Sequence, residues 1–242
     1  MIIGAIILLL GFFYFSNKTK SINGNTADTA TSTATENAVV VAEPVMEHAS
    51  STYAEMQLSY PKSDTTHLPE IYAFIQGEKN DFWSQYGSLS DAEAAGMYVR
   101  GDNPYQLYTN FKVATSSKTV SYIIESYQFL GGAHGGTAIN VFTYDAGGNL
   151  VTASDVFEDN YVSVIAPMAR QYFYDTLGDY IQPSMIDDGT EATTTNFSLW
   201  YLTDANVVFI FGQYQVGPYA LGIQEYPIPK TKIASVLKPA YR

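Results

Sequence analysis

Histidine and cysteine, which often carry nucleophilic, acid-base or metal chemistry, are scarce in this sequence. It has no cysteine and only three histidines, His48, His67 and His134. His134 lies in the glycine-rich run GGAHGG at 131–136, where a flexible backbone would leave the imidazole accessible as a site residue or metal ligand. A hairpin turn whose histidine hydrogen-bonds to a neighbouring carbonyl group explains the same run, and this plainer interpretation is favoured.

The second candidate segment is YQVGPYALG at 214–222. Its glycines and proline predict a fixed, irregular connection between two strands, and its tyrosines could stack on a sugar or fill a pocket of a partner. The same tyrosines could equally cover the core where the sheet closes. Because a few aromatic anchors supply most of the energy of a binding surface, we predict this loop, ahead of His134, as the main contact surface. The predicted ligand-binding residues are Tyr214, Gly217, Pro218, Tyr219 and His134.

Recognisable catalytic motifs are missing from the sequence. It contains no G-x-S-x-G turn, no H-E-x-x-H helix, no phosphate-binding G-x-x-x-x-G-K-[ST] loop and no G-x-G-x-x-G after a strand. A catalytic zinc ion usually needs three protein ligands, which scattered histidines without cysteine do not offer. We therefore predict no catalytic residue, no metal site and no cofactor, and expect that the protein is not an enzyme. An acid hydrolase needs only two carboxylates. The 24 acidic residues allow so many pairs that the sequence does not test this class of enzyme.

The charge balance restricts the partners. The chain has 12 Lys and Arg residues but 24 Asp and Glu residues. Its formal net charge of -12 therefore repels nucleic acids and anionic lipid headgroups. The same charge would attract a strongly basic protein. The expected partners are therefore a basic protein or a cell-wall glycan, and no nucleic acid.

The elements that position these residues predict an α+β fold: antiparallel sheets, two main amphipathic helices packed on one face, and an N-terminal membrane helix. Apolar residues at helical spacing predict helices at about 68–82 and 160–177, and Pro167 must kink the second helix or mark its first turn. Tyr, Val, Ile and Phe at alternating positions predict antiparallel strands. These strands are 53–60, 105–114, 119–129, 138–145, 197–202, 207–211 and 223–228.

The N-terminal part differs from the rest in composition. Residues 2–15 form an uncharged apolar run, which predicts a membrane anchor or signal segment at 1–15. Residues 16–51 are rich in Thr, Ala, Ser and Asn and too poor in apolar surface to fold, which predicts a disordered tether. The predicted folded domain is 52–240, with an N-terminal part at 52–118 and a C-terminal part at 119–240.

The topology of the anchor has two interpretations. Lys18 and Lys20 follow the apolar run, and by the positive-inside rule they would leave the body in the cytoplasm. An acidic body without cysteine suits the outside of the cell instead. We expect a single-pass anchor in the cell membrane, with the body outside the cytoplasm and contact with the membrane only through the N-terminal segment.

Several separated motifs together resemble a known family. They are GGAHG at 131–135, the Tyr144-Asp145 strand end with Asp155-Val156-Phe157 after it, and the 214–222 segment followed by Ile228-Pro229. In this order they are similar to the RsiV-type extracytoplasmic domain of unknown function, and to the non-catalytic N-terminal region of the peptidoglycan deacetylase PdaC. The resemblance covers about residues 50–240. It implies an α+β domain outside the membrane, of the kind with which RsiV captures lysozyme, although a shared fold does not transfer the ligand.

These observations lead to one main functional hypothesis and two alternatives. The main hypothesis is a membrane-tethered extracytoplasmic binding or sensing module for a lysozyme-like protein or for peptidoglycan fragments. The first alternative is a cell-wall hydrolase with His134 as general base. The second is a structural protein of the envelope.

Overall fold

The computed structural model describes residues 41–97, 103–178 and 181–242. The predicted membrane segment at 1–15 and most of the predicted tether, residues 16–40, lie outside the described residues. Within the described ranges, no helix is both long enough and apolar enough to span a membrane.

The N-terminal half of the described chain is built on a five-stranded sheet whose strands lie side by side in chain order. Neighbouring strands are antiparallel except the second and third, which are parallel. The predicted antiparallel arrangement is therefore wrong for this one pair, because the chain between the two strands crosses over through a helix. The strands are β1 (Pro44–Ser50), β2 (Ala54–Pro61), β3 (Tyr105–Thr115), β4 (Thr119–Phe129) and β5 (Gly136–Asp145).

Helix α1 (Pro69–Tyr86) forms this crossover. A proline at its first position is harmless, since the N–H at that position has no acceptor within the helix. The apolar residues at helical spacing, Ile71, Ile75 and Phe82, are buried and pack against one face of the sheet. A short helix, α2 (Asp91–Ala94), follows. Together α1 and the sheet enclose the first hydrophobic core.

The C-terminal half combines helices with a second, three-stranded antiparallel sheet. Its strands, in order, are β6 (Trp200–Leu202), β7 (Asn206–Phe211) and β8 (Gln224–Pro229). The helices are α3 (Ala153–Val156), α4 (Tyr161–Leu177) and α5 (Pro183–Gly189).

Helix α4 supplies much of the second hydrophobic core. Ile165, Ala169 and Phe173 are buried in it together with the apolar residues of β7. Pro167 lies inside the helix, so the alternative that it marks the first turn is wrong. It is exposed, and water can therefore hydrogen-bond to the carbonyl group that loses its donor.

The structure confirms an α+β fold with mainly antiparallel sheets, but the two main helices do not share one face. Helix α1 belongs to the core of the first sheet, and α4 belongs to the core of the second. Strand β1 also lies inside the range predicted as tether, because an edge strand with half-exposed residues needs little apolar content. The boundary predicted between 118 and 119 falls in the turn between β3 and β4, which pair along their length.

A hydrogen-bond network joins β1 to the rest of the first core. Glu47 of β1 forms an ion pair with Lys79 of α1 and accepts a hydrogen bond from the Tyr60 hydroxyl group of β2. The bonds from Lys79 and Tyr60 hold the pKa of Glu47 below its ordinary value of 4.5. Such a carboxyl group stabilises the fold above its unfolded-state pKa, and this stabilisation is lost as the pH falls through the folded-state pKa.

We predict that Glu47→Gln lowers the free energy of unfolding by about 1 kcal/mol at pH 7, because the ion pair is lost and the carboxylate becomes a neutral acceptor. The difference between the two proteins should shrink as the pH falls below 4.5, the ordinary pKa of the carboxyl group. Denaturant unfolding at several pH values measures both effects. Glu43→Gln is the matched control, since it removes the same charge from an exposed residue nearby. Equal losses in both variants would assign the effect to net charge.

Candidate functional site

The turn between β4 and β5 requires glycine at two positions. Gly131 and Gly132 have φ angles of 89° and 101°, a left-handed conformation that other residues rarely adopt. The turn presents His134 at the surface, two residues before the start of β5. Nδ1 of His134 lies 2.8 Å from the carbonyl oxygen of Gly135. The favoured interpretation, a glycine-rich turn with a histidine bonded to a neighbouring carbonyl group, is therefore confirmed.

The loop between β7 and β8, residues 212–223, is held in place by the side chain of Gln215. Its Nε2 donates hydrogen bonds to the carbonyl oxygens of Gly189 and Asn196, at 3.1 and 3.0 Å. Its Oε1 accepts a hydrogen bond from the N–H of Gly212 at 3.0 Å. The loop is thus a fixed connection, as its composition predicts.

The turn and the loop meet in an aromatic cluster formed by His134 and Tyr214, which are exposed, and Tyr219, which is half-buried. The rings of His134 and Tyr219 stack, with centroids 4.1 Å apart and an interplanar angle of 26°. The hydroxyl oxygen of Tyr214 lies 3.5 Å from Nε2 of His134, and the centroids of the two tyrosine rings are 5.8 Å apart. Residues that the sequence presents as two separate candidates therefore form one surface.

Tyr214 has features of a contact residue. The residue is 55% exposed, and its φ of 65° is a conformation that costs energy for a residue other than glycine. Backbone strain of this kind persists only where the surrounding structure fixes it, and it occurs often at functional sites. Gln213 supplies part of that support, because its Oε1 accepts a hydrogen bond from the N–H of Thr137 in β5 at 2.9 Å.

The other two predicted site residues lie beside the cluster. Gly217 is buried, and a Cβ atom in its place would lie 2.5 Å from Cδ2 of Leu221. It therefore shapes the loop and offers no surface to a ligand. Pro218 is exposed and directly precedes the 3-10 turn Tyr219–Leu221. Its position leaves it available for contact next to Tyr219.

The geometry of the cluster suits stacking better than acid-base chemistry. In the described part of the chain, the His134 imidazole hydrogen-bonds to the Gly135 carbonyl group and to Tyr214, and to no carboxylate. A general base normally depends on a carboxylate or similar group that orients the ring. Within residues 41–97, 103–178 and 181–242, no group of three or more His, Asp or Glu side chains is placed so that it could hold a metal ion.

The structure also shows an aromatic pair that the sequence analysis missed. Tyr108 and Tyr127 face each other on neighbouring strands, with stacked rings 5.9 Å apart. The hydroxyl group of Tyr108 donates a hydrogen bond to Glu55 at 2.8 Å, and this bond, followed by one from Gln57, lowers the pKa of the Glu55 carboxyl group. Only the register between β3 and β4 brings the two rings together, so periodicity along one strand could not reveal the pair.

Two family models match successive parts of the chain. One, described as deacetylase PdaC, matches residues 47–137 and so includes His134. The other, described as a protein of unknown function (DUF3298), matches residues 154–231 and so includes Tyr214 and Tyr219. The aromatic cluster therefore combines side chains from both matched segments.

A curated relative agrees with these matches. The peptidoglycan-N-acetylmuramic acid deacetylase PdaC of Bacillus subtilis (strain 168) is 26% identical over 140 residues, which are 56% of this chain and 30% of that protein. The chain thus spans less than a third of this relative's length. The resemblance to the PdaC region and to a domain of unknown function is confirmed.

Solved structures of two DUF3298 family proteins share the fold. The protein from Bacteroides fragilis NCTC 9343 superposes with a TM-score of 0.54 at 15% identity, covering 81% of this chain and 92% of that one. The protein from Pseudomonas aeruginosa PAO1 gives a TM-score of 0.53 at 17% identity, covering 81% and 94%. At this level of identity the likeness concerns the fold alone.

We predict that Gly135→Ala lowers the melting temperature by several degrees, because its Cβ atom would lie 2.4 Å from the carbonyl oxygen of Gln128 and 2.5 Å from the ring of Tyr127. Gly136→Ala is the control, since a Cβ atom there would meet nothing within 4 Å. Thermal unfolding of both variants measures the difference. If the two variants melt at the same temperature, close packing at Gly135 does not hold the turn in place.

Proposed function

We propose that this protein is a binding or sensing module of the cell envelope, held at the cell membrane by its N-terminal segment with the folded body outside the cytoplasm. One observation carries the proposal: two segments 80 residues apart converge on a partly exposed aromatic cluster. Aromatic side chains supply much of the energy of binding surfaces, because they remove a large apolar area from water and lose little conformational entropy.

The match to PdaC supports a role at the cell wall. The name of that relative describes an enzyme that acts on peptidoglycan, and one of the two matched segments carries the PdaC name. A module attached to such an enzyme would work next to its substrate. We therefore expect the partner of this chain among molecules found at the wall.

The charge of the chain supports a basic protein as that partner. A net charge of -12 would steer a cationic protein toward the surface and raise the rate of association at low ionic strength. Lysozyme-like proteins combine a basic surface with activity at the wall. Peptidoglycan fragments are the second candidate, since a sugar ring could stack on the exposed ring of Tyr214.

A cell-wall hydrolase with His134 as general base is the first alternative. It receives less support, because no described carboxylate bonds to the imidazole and its ring stacks on Tyr219. Turnover of wall fragments by the purified protein, abolished by His134→Ala, would establish it. A structural envelope protein is the second alternative, and it differs from the proposal in binding neither lysozyme nor wall fragments.

We predict that Tyr219→Ala weakens binding of lysozyme, or of peptidoglycan fragments, at least tenfold, because it removes the central ring of the aromatic cluster. His134→Ala should have a smaller effect. Combining both changes should weaken binding by less than the product of the single effects, because the two rings contact each other. Titration calorimetry at low and high salt measures these affinities, and lysozyme binding should weaken as salt rises.

Met46→Ala is the control, because this residue is 76% exposed but lies on β1, at the opposite edge of the first sheet. It should leave both affinities unchanged. An unchanged affinity of Tyr219→Ala together with a melting temperature lowered by several degrees would show that Tyr219 only covers the core. Failure of the unaltered protein to bind either probe would contradict the proposed function.

A further inference from the structure

The outer edge of the five-stranded sheet is a second surface that could bind a partner. Strand β5 is the last strand, and in the described part of the chain it pairs only with β4 and, at one end, with Leu150. Proteins usually protect a free edge with charged residues or proline. The opposite edge, β1, carries Pro44, Glu47 and His48, whereas β5 has no proline and no charged residue before Asp145. Between Thr137 and Thr143, the β5 edge thus carries neither of these protections.

The backbone groups of this edge are available for hydrogen bonds. The N–H of Thr137 donates to Gln213 of the β7–β8 loop, and the carbonyl oxygen of Thr143 accepts from the N–H of Val151 at 2.7 Å. Both bonds lie on the side away from β4. Because the direction of backbone groups alternates along a strand, the N–H and C=O groups of Ile139 and Val141 point the same way. Among the described residues nothing pairs with them.

A cleft continues from this edge. It has a volume of about 740 Å³ and is lined by Val141 at the strand and by the apolar residues Leu150, Phe157 and Trp200. Leu150 is 41% exposed in the cleft. At the rim, Asp159 presents an exposed carboxylate for which no ion pair is present in the described ranges. The cleft would therefore accept an apolar side chain beside a basic one.

We propose that the outer edge of β5 binds an extended segment of a cationic partner protein as an additional strand. Main-chain hydrogen bonds to Ile139 and Val141 hold the segment, one of its apolar side chains enters the cleft, and a basic side chain faces Asp159. The edge begins at Thr137, which is bonded to the residue before Tyr214, so the added strand runs between the aromatic cluster and the cleft. This inference rests on the proposed function, since it names how the same partner would be bound.

The net charge of the chain and the backbone groups of the β5 edge together favour a cationic polypeptide as the binding partner. A second copy of this chain would bring another net charge of -12 to the edge and to Asp159, so self-pairing is opposed by repulsion. A glycan strand has no regular row of peptide N–H and C=O groups with which to extend a sheet. A cationic polypeptide satisfies both the backbone groups and the carboxylate at the rim.

Amide hydrogen exchange followed by NMR on the full chain tests the proposal with two probes, lysozyme and a synthetic peptide of alternating lysine and valine. We expect exchange at Ile139 and Val141 to slow at least tenfold with either probe. Ala138 and Asn140 are internal controls, because their N–H groups already face β4. Val141→Pro, which removes one outward N–H group, should weaken binding of the probe at least tenfold, whereas Val141→Thr, which keeps it, should not.

The outcomes separate the two proposals. If lysozyme binds in a manner sensitive to Tyr219→Ala but neither probe slows exchange at Ile139 and Val141, the proposed function stands and the edge proposal fails. If the peptide slows exchange at these two residues while lysozyme does not bind, the edge proposal stands and lysozyme is removed as the partner. Slowing that appears without a probe, as the concentration of the protein rises, would identify a second copy as the occupant and overturn the proposal.

Discussion

The first six residues of strand β4, 119–124, are all buried, so both faces of this strand must be covered by other parts of the chain. Tyr122 and Ile124 face the core that α1 closes. Ser121 and Ile123 point to the opposite face, where β6 packs against β3, β4 and β5. The hydroxyl group of Ser121 is paired with that of Thr143 at 2.8 Å, so this polar group is buried without losing its hydrogen bond. A strand covered on both sides forces the two halves of the chain into one body.

This arrangement fixes where the second sheet lies and hence where its loops emerge. Lys112 of β3 forms an ion pair with Glu225 of β8, and Glu225 also accepts a hydrogen bond from the Tyr201 hydroxyl group at 3.0 Å. Partly exposed ion pairs of this kind contribute little energy, so burial of apolar surface holds the sheets together and these bonds select their orientation. In that orientation the β7–β8 loop reaches the turn before β5, and the aromatic cluster results.

The aromatic cluster combines side chains from both segments that the family models match. His134 comes from the segment matched by the PdaC model, and Tyr214 and Tyr219 come from the segment matched by DUF3298. Neither segment alone contains the stacked pair, which exists only when both halves fold onto β4. The outer edge of β5 begins next to this cluster, so both surfaces that we propose as contact sites lie close together.

The sequence alone determined the elements whose signals are local. Helical spacing of apolar residues predicted α1 and α4, alternation predicted most strands, and glycines at 131 and 132 predicted the turn before β5. It also identified His134 and the loop around Tyr219 as unusual segments. Tertiary structure alone decided that these two segments touch, that β2 and β3 are parallel, and that residues 44–50 form a strand. The physical reason is that these features depend on a partner elsewhere in the fold. Strand β1 is stabilised by the backbone of the adjacent strand β2, whereas the parallel pair and the contact between the two loops join residues far apart in the chain. None of these interactions leaves a periodic pattern in the nearby sequence.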